Sequence, residues 1–134
     1  MKKTIFVLLI SIVLLSISSC ASMNAGKDGE AAWAGIYHGV TPAASSSGID
    51  VIVILNSNNT YKVSYRYIDK GDEVFNFTGT LSWDEKTKVI TLRNNDLPPY
   101  YKVGKNYLLQ LDMEGKEIKG SLSKNYKLQK VPTV

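Results

Sequence analysis

The feature that most constrains the fold is an alternation of apolar and polar residues in the middle of the chain. In Thr60–Tyr67 every odd-numbered residue is a tyrosine or a valine, and every even-numbered residue is polar or charged. Side chains of a β-strand point to opposite faces in turn, so one face of this stretch would be apolar and the other solvated. The pattern predicts a half-buried antiparallel strand.

Further strand-like stretches follow from Trp33 onward, and short turn-forming segments separate them. They are residues 50–55, 74–83, 88–93, 100–103, 107–112, 118–122 and 126–131. Residues 56–59 are rich in asparagine, which tolerates the positive φ of hairpin turns. Gly79 falls at an inward position, which suggests a bend at a barrel corner. Pro98 and Pro99 cannot donate to a ladder and predict a break in the sheet.

The fold class expected from these patterns is all-β. Seven or eight short strands with close turns, and no helical stripe of useful length after Trp33, favour an antiparallel meander closed into a small barrel. Residues 33–134 would form this single domain.

The N-terminal residues have the features of a cleaved signal segment. Lys2 and Lys3 precede an apolar run over residues 4–17, which is too short for a spanning helix at about 20 residues. Ile17, Ser18, Ser19 and Cys20 resemble a lipobox, the site where bacterial lipoproteins are lipidated and cut. Residues 1–19 are therefore predicted to be a lipoprotein signal peptide.

Lipidation at Cys20 would anchor the mature chain to a membrane. The thiol accepts a diacylglycerol, and the new amino group is usually acylated too, because one acyl chain alone binds only marginally. Residues 20–32 are small and polar and are expected to form a flexible tether. Ala21 is not an aspartate, the residue that favours inner-membrane retention, and this favours the outer membrane of the bacterial envelope.

Charge argues against one class of partner. Without Lys2 and Lys3, 14 basic residues face 12 acidic ones, and they are interspersed rather than clustered. Nucleic-acid binding therefore has no support.

Several segments resemble the N-terminal domain of NlpE-type lipoproteins, also called copper-resistance or copper-homeostasis lipoproteins. The segments are residues 33–42, 47–49, 79–84 and 90–92 and, most strongly, 101–112. The resemblance implies a lipid-anchored, lipocalin-like β-barrel in the bacterial envelope, with roles in copper tolerance and in triggering an envelope-stress two-component response.

Two departures from the family pattern bear on function. Members typically carry Cys-X-X-Cys after the proline that corresponds to Pro42, and here Ala43 and Ser46 occupy those positions. Methyl and hydroxyl groups do not replace thiolates as ligands of soft Cu(I), so no metal or other cofactor is expected at this loop. Some members also carry a second domain, and no such domain is expected before Val134.

Other candidate residues have competing interpretations. His38, the sole histidine, is expected to be a surface or rim residue, with weak metal ligation as the alternative. The eight tyrosines predict a filled core or, alternatively, a ligand pocket.

No pattern supports a catalytic site, so we expect a non-catalytic protein that contacts an envelope partner. A small-ligand or metal-binding barrel, or an inhibitor of a cell-wall-degrading enzyme, are the alternatives.

Overall fold

The computed structural model describes residues 31–133, and these residues contain eight strands and one short 3₁₀-helix. The lipobox, Cys20 and most of the tether lie outside the described residues. The strands are β1 (Gly35–Thr41), β2 (Ile49–Asn56), β3 (Thr60–Tyr67), β4 (Phe75–Asp84), β5 (Val89–Leu92), β6 (Tyr100–Gly104), β7 (Tyr107–Gln110) and β8 (Lys127–Lys130). The 3₁₀-helix, Ser123–Tyr126, leads into β8.

Every strand pairs antiparallel with the next one along the chain, and β1 pairs with β8 to close the barrel. The longest ladders are at the start of the chain, where seven residue pairs join β1 to β2 and eight join β2 to β3. Closure rests on two pairs, Tyr37 with Lys130 and His38 with Gln129. The predicted all-β meander and its closure are therefore confirmed.

Asparagine occupies the turns that need positive φ. Asn59 ends the β2–β3 loop at φ 63°, and its N–H donates to the Asn56 carbonyl at 3.0 Å. Asn106 has φ 63° in the two-residue loop between β6 and β7. Asparagine adopts this left-handed region more readily than most residues, which explains why the chain reverses at these two points.

Apolar side chains fill the barrel from every strand. In β2, Val51, Val53 and Leu55 are buried, and in β3 Tyr61 and Val63 are buried. The alternation that predicts β3 therefore fixes its register, because a shift of one residue would turn Lys62 and Arg66 inward.

One predicted strand is absent. Residues 118–122 form no strand, and the described residues nearby hold only an isolated bridge between Leu111 and Glu117. The segment loops outward, with Gly120 at φ 112° and Leu122 52% exposed. β7 pairs directly with β8, so the sheet has no place for another strand there.

The wall of the barrel is incomplete beside β4. Leu81 to Asp84 pair with β5, whereas Phe75 to Gly79 pair only with β3 among the described residues. β5 ends at Leu92, and residues 93–99 connect it to β6 without forming a strand. The prolines of that segment explain why β5 ends before it matches the length of β4.

Candidate functional site at the open end of the barrel

The two ends of the barrel differ. At the end where the chain enters, Trp33 is buried, and its ring centroid lies 6.2 Å from that of Trp83. The Tyr37 hydroxyl donates to the Trp33 carbonyl at 2.8 Å, and Lys130 Nζ donates to the Ala32 carbonyl at 3.2 Å. These contacts cover the core at that end, and a surface cleft of about 690 Å³ lies beside them, between Trp33, Trp83 and the turn at Asn106.

The opposite end holds a cavity of about 160 Å³. Its walls are mostly apolar and aromatic, and its polar groups come from a threonine, a glutamine, an aspartate and three tyrosines. The lining residues are Thr41, Pro42, Ile49, Val51, Val63, Tyr65, Tyr67, Asp96, Leu97, Pro98, Tyr101 and Gln110. Apolar walls with a few convergent polar groups are typical of small-molecule sites.

A cluster of aromatic rings forms one side of this end. Tyr65 stacks on Phe77 with ring centroids 5.5 Å apart and planes 7° apart, and on Phe75 at 5.2 Å and 23°. Tyr67 meets both Tyr65 and Phe75 edge to face. Burial, and then the neighbouring Tyr67 and Asp96, raise the pKa of the Tyr65 hydroxyl. The ring positions are thus fixed by mutual packing, and the carboxylate of Asp96 is near enough to Tyr65 to influence its hydroxyl electrostatically.

The segment between β5 and β6 brings Asp96 to the rim. Its N–H donates to the Asn94 side-chain oxygen at 2.7 Å, and the adjacent Leu97 is buried in the core at 4% exposure. The Leu92 N–H donates to the Pro99 carbonyl at 2.8 Å and ties the two ends of the segment together. These contacts hold the exposed carboxylate beside the cavity.

Two tyrosines lie deeper. Burial, with a smaller effect of Tyr61, raises the pKa of Tyr101 well above its usual value. Tyr61 is itself buried, and its hydroxyl has no hydrogen-bond partner among the described residues. A buried hydroxyl without a partner is unusual in a protein interior.

His38 is on the outer face of the sheet and not in the cavity. Its Nε2 lies 2.6 Å from Asp50 Oδ1, and Arg66 Nη2 lies 3.7 Å from the other oxygen of Asp50. Three adjacent strands thus place imidazole, carboxylate and guanidinium in one row. The sequence positions of these residues are far apart, and only the strand register brings them together.

The same outer face carries an apolar strip, formed by Ile36, Ile52, Ile54 and Val131. Ile36 and Ile54 are directly opposite each other, and the Val131 N–H donates to the Ile36 carbonyl at 2.7 Å. Ile36, Ile52 and Val131 are 39%, 38% and 41% exposed. Contiguous apolar residues on a solvated sheet face mark a contact surface more often than isolated ones do.

Ala43 and Ser46 lie in the loop between β1 and β2. The Ser46 hydroxyl donates to the Gly48 carbonyl at 2.8 Å and accepts from the Gly48 N–H at 3.3 Å. Ser47 hydrogen-bonds to Asp69 across this end of the barrel. The hydroxyl at one of the two positions thus stabilises the loop itself.

Over residues 31–133, no group of three or more histidine, cysteine, aspartate or glutamate side chains is arranged to hold a metal ion. Met113 is exposed on the turn after β7. No helix in this part of the chain has the length and apolar content to span a bilayer.

Comparison with known protein families identifies the domain. Residues 37–121 match the family described as the NlpE N-terminal domain. The chain belongs to the NlpE N-terminal domain family. No curated protein sequence matches it significantly.

Two solved structures are similar to this NlpE-type barrel. One is a candidate lipoprotein from Shewanella oneidensis, 37% identical, with a TM-score of 0.67, and the match covers 74% of this chain and 89% of that one. The other is the Cpx pathway activator NlpE from Escherichia coli, 25% identical, with a TM-score of 0.56. That match covers 66% of this chain but only 46% of the Escherichia coli chain.

The sequence predictions identify part of the site in this NlpE-type barrel. They place Tyr65 and Tyr67 on the inner face, where they line the cavity. They miss Asp96 and Leu97, because the segment around them has the composition of a loop and gives no signal of where it folds. Pro98 and Pro99 predict a break in the sheet at this segment but not where the segment lies in the fold.

Proposed function

We propose that this chain is a lipid-anchored lipoprotein of the bacterial cell envelope that signals by contact with another envelope protein and catalyses no reaction. Membership of the NlpE family and similarity to the Shewanella oneidensis lipoprotein support the envelope assignment. The signal-like residues 1–19 and Cys20 supply the means of anchoring. The absence of aspartate after Cys20 favours the outer membrane.

The observation that carries the contact hypothesis is the apolar strip on the outer face. Ile36 and Ile52 expose more than a third of their surface on neighbouring strands, beside the polar row of His38, Asp50 and Arg66. An apolar centre with a polar border is the usual composition of a protein–protein interface. The sole histidine, His38, is part of that border, and this supports a role for it in recognition.

We propose that the partner is a component of an envelope-stress pathway of the Cpx type. The similar Escherichia coli protein, NlpE, is an activator of the Cpx pathway, and this supports the proposal. Copper homeostasis is not part of the proposal at the β1–β2 loop, where Ala43 and Ser46 offer a methyl group and a hydroxyl already used within the loop. Competition with a chromogenic chelator would test this: weak or no Cu(I) binding is expected, and stoichiometric tight binding would contradict it.

The signalling proposal is tested with an envelope-stress reporter in cells that lack their own NlpE. Overproduction of the chain should induce the reporter, and the double variant Ile36→Ser/Ile52→Ser should lose most of that induction, since interface-centre residues carry most of the binding energy. Val74→Ser is the matched control, because Val74 is exposed and apolar but lies outside the strip.

Membrane fractions must contain equal amounts of each variant. Full induction by the double variant would exclude the apolar strip as the contact surface. If the overproduced unmodified chain does not induce the reporter, the signalling role itself is contradicted.

A further inference from the structure

The cavity at the open end has a single charged side chain. Of its twelve lining residues, only Asp96 has a side chain of a charged type, and the others are apolar, aromatic or neutral polar. A site with one negative charge and no positive one is electrostatically complementary to a cation.

The carboxylate of Asp96 is also available. No lysine, arginine or histidine of residues 31–133 lies within ion-pair distance of it. By contrast, Asp50 on β2 and Asp72 in the β3–β4 loop lie 3.7 and 4.0 Å from the guanidinium of Arg66. The hydrogen bond from the Asp96 N–H to Asn94 and the burial of Leu97 fix the backbone of Asp96 at the rim of the cavity.

The aromatic rings provide the second feature that favours a cation. Tyr65 and Tyr67 line the cavity, and their orientations are restrained by Phe75 and Phe77. Phe75 and Phe77 stack on Tyr65, so Tyr65 offers an ammonium group its phenol oxygen, which can accept a hydrogen bond, whereas Tyr67 offers its phenol oxygen and the partial negative charge of its ring face. Rings that are already packed lose little conformational freedom when a ligand binds, so such a site is preorganised.

The volume limits the size of the ligand. The cavity has a volume of about 160 Å³. Pockets for drug-sized ligands occupy about 300–1,000 Å³, so this cavity suits a compact group only. Val51, Val63 and Leu97 supply apolar surface for a short hydrocarbon body.

We propose that this cavity binds free small organic cations, in which an ammonium group lies between Asp96 and the phenol groups of Tyr65 and Tyr67 and a short apolar body enters the barrel. This site is separate from the apolar strip, which lies on the outer surface, and the proposal is independent of the signalling role.

The test compares two probes of similar size and shape on the full chain purified in a nonionic detergent. n-Butylammonium carries the charge and butan-1-ol does not. Titrations followed by the NMR resonances of Tyr65 and Tyr67 should show saturable binding of n-butylammonium that is about ten-fold tighter than that of butan-1-ol, because a charged hydrogen bond to a carboxylate is stronger than a neutral one. The preference should shrink as salt is added.

Variants assign the effect to the carboxylate. Asp96→Asn should reduce n-butylammonium binding to the level of butan-1-ol, whereas Glu73→Gln should leave it unchanged, because Glu73 is exposed in the β3–β4 loop and does not line the cavity. Both substitutions are at exposed positions.

Equal affinity for the two probes, or no saturable shift of the Tyr65 and Tyr67 resonances, would overturn the proposal, and this comparison needs no variant. Unchanged binding to Asp96→Asn would overturn the role of the carboxylate. None of these outcomes bears on the reporter experiment, so the two hypotheses fail separately.

Discussion

Gly79 and Tyr61 are directly opposite each other in the β3–β4 ladder, and the phenol of Tyr61 occupies the space that a side chain at Gly79 would fill. A Cβ built on Gly79 would lie 2.8 Å from the Tyr61 hydroxyl oxygen and 3.0 Å from two of its ring carbons. The glycine is thus required by the close approach of a buried ring, in addition to any bend of the strand.

Gly79→Ala is expected to destabilise the domain by about 1–3 kcal/mol, the usual range for inserting atoms into a packed core. The measurement is urea unfolding of the fragment from Ala31 onward. Thr78→Ala is the control, since Thr78 is exposed on the same strand and should lose less than about 1 kcal/mol. Equal losses in the two variants would contradict the packing explanation.

Two buried tyrosines should respond differently to removal of the hydroxyl. Tyr37 donates to the Trp33 carbonyl at 2.8 Å, so Tyr37→Phe should lower the free energy of unfolding by about 1 kcal/mol or more. Tyr61 has no partner among the described residues, so Tyr61→Phe should be neutral or stabilising. Chemical denaturation of the two variants measures the change in the free energy of unfolding. A large loss of stability in Tyr61→Phe would mean that the Tyr61 hydroxyl has a partner, such as an ordered water.

Neighbouring residues at the end of β3 test its register. Tyr65→Ala should destabilise the domain by about 2–4 kcal/mol, because the ring stacks on Phe75 and Phe77, although it is only half-buried. Arg66→Ala should change stability by less than about 1 kcal/mol, since its pairs with Asp50 and Asp72 are on the surface. Urea unfolding measures both, and a larger loss at Arg66 would mean that the opposite face is buried.

Alkaline pH should weaken the fold through buried phenols. Burial raises the pKa of Tyr101 and, less strongly, of Tyr37 above the value of 10.0 that applies to an unfolded chain. The folded state therefore binds these protons more tightly, so stability is fully present below pH 10 and falls as pH rises above it. Phenolate absorbance should titrate later in the folded domain than in urea, and coincident titrations would contradict the burial.

Cys20→Ala tests the anchor. Without the thiol neither lipid attachment nor cleavage can occur, so the variant should accumulate as a precursor with altered membrane association. Fractionation of cells and the size of the product provide the measurement, with Ser22→Ala as a control just outside the motif. Mature size with unchanged membrane association would exclude the lipobox.

Local patterns predict most of the barrel, because its contacts are between consecutive strands. The run of residues 50–55, the asparagine-rich residues 56–59 and the alternation in Thr60–Tyr67 together predict β2, the turn and β3. The prediction of a strand at residues 118–122 was wrong, because direct pairing of β7 with β8 excludes it, and short apolar runs do not reveal that competition.

The functional features depend on long-range geometry and are harder to predict. His38 and Asp50 meet only because β1 and β2 pair in one particular register. Asp96 reaches the cavity because Leu97 is buried in a core formed by other strands. The residues next to His38 do not predict its contact with Asp50, and the residues next to Asp96 do not predict its position at the rim of the cavity.

The narrow closure between β1 and β8 has a consequence for the order of folding. Every other ladder joins neighbours in the sequence and can form as a hairpin, whereas the Tyr37–Lys130 and His38–Gln129 pairs require the two ends of the domain to meet. Closing so long a loop costs more chain entropy than any hairpin, and the backbone contacts that compensate for it are two residue pairs and the hydrogen bond from Val131 to Ile36. The pairing of β1 with β8 should therefore form last, and the amide hydrogens of these two strands at the closure should exchange with solvent sooner than those of the β2–β3 ladder.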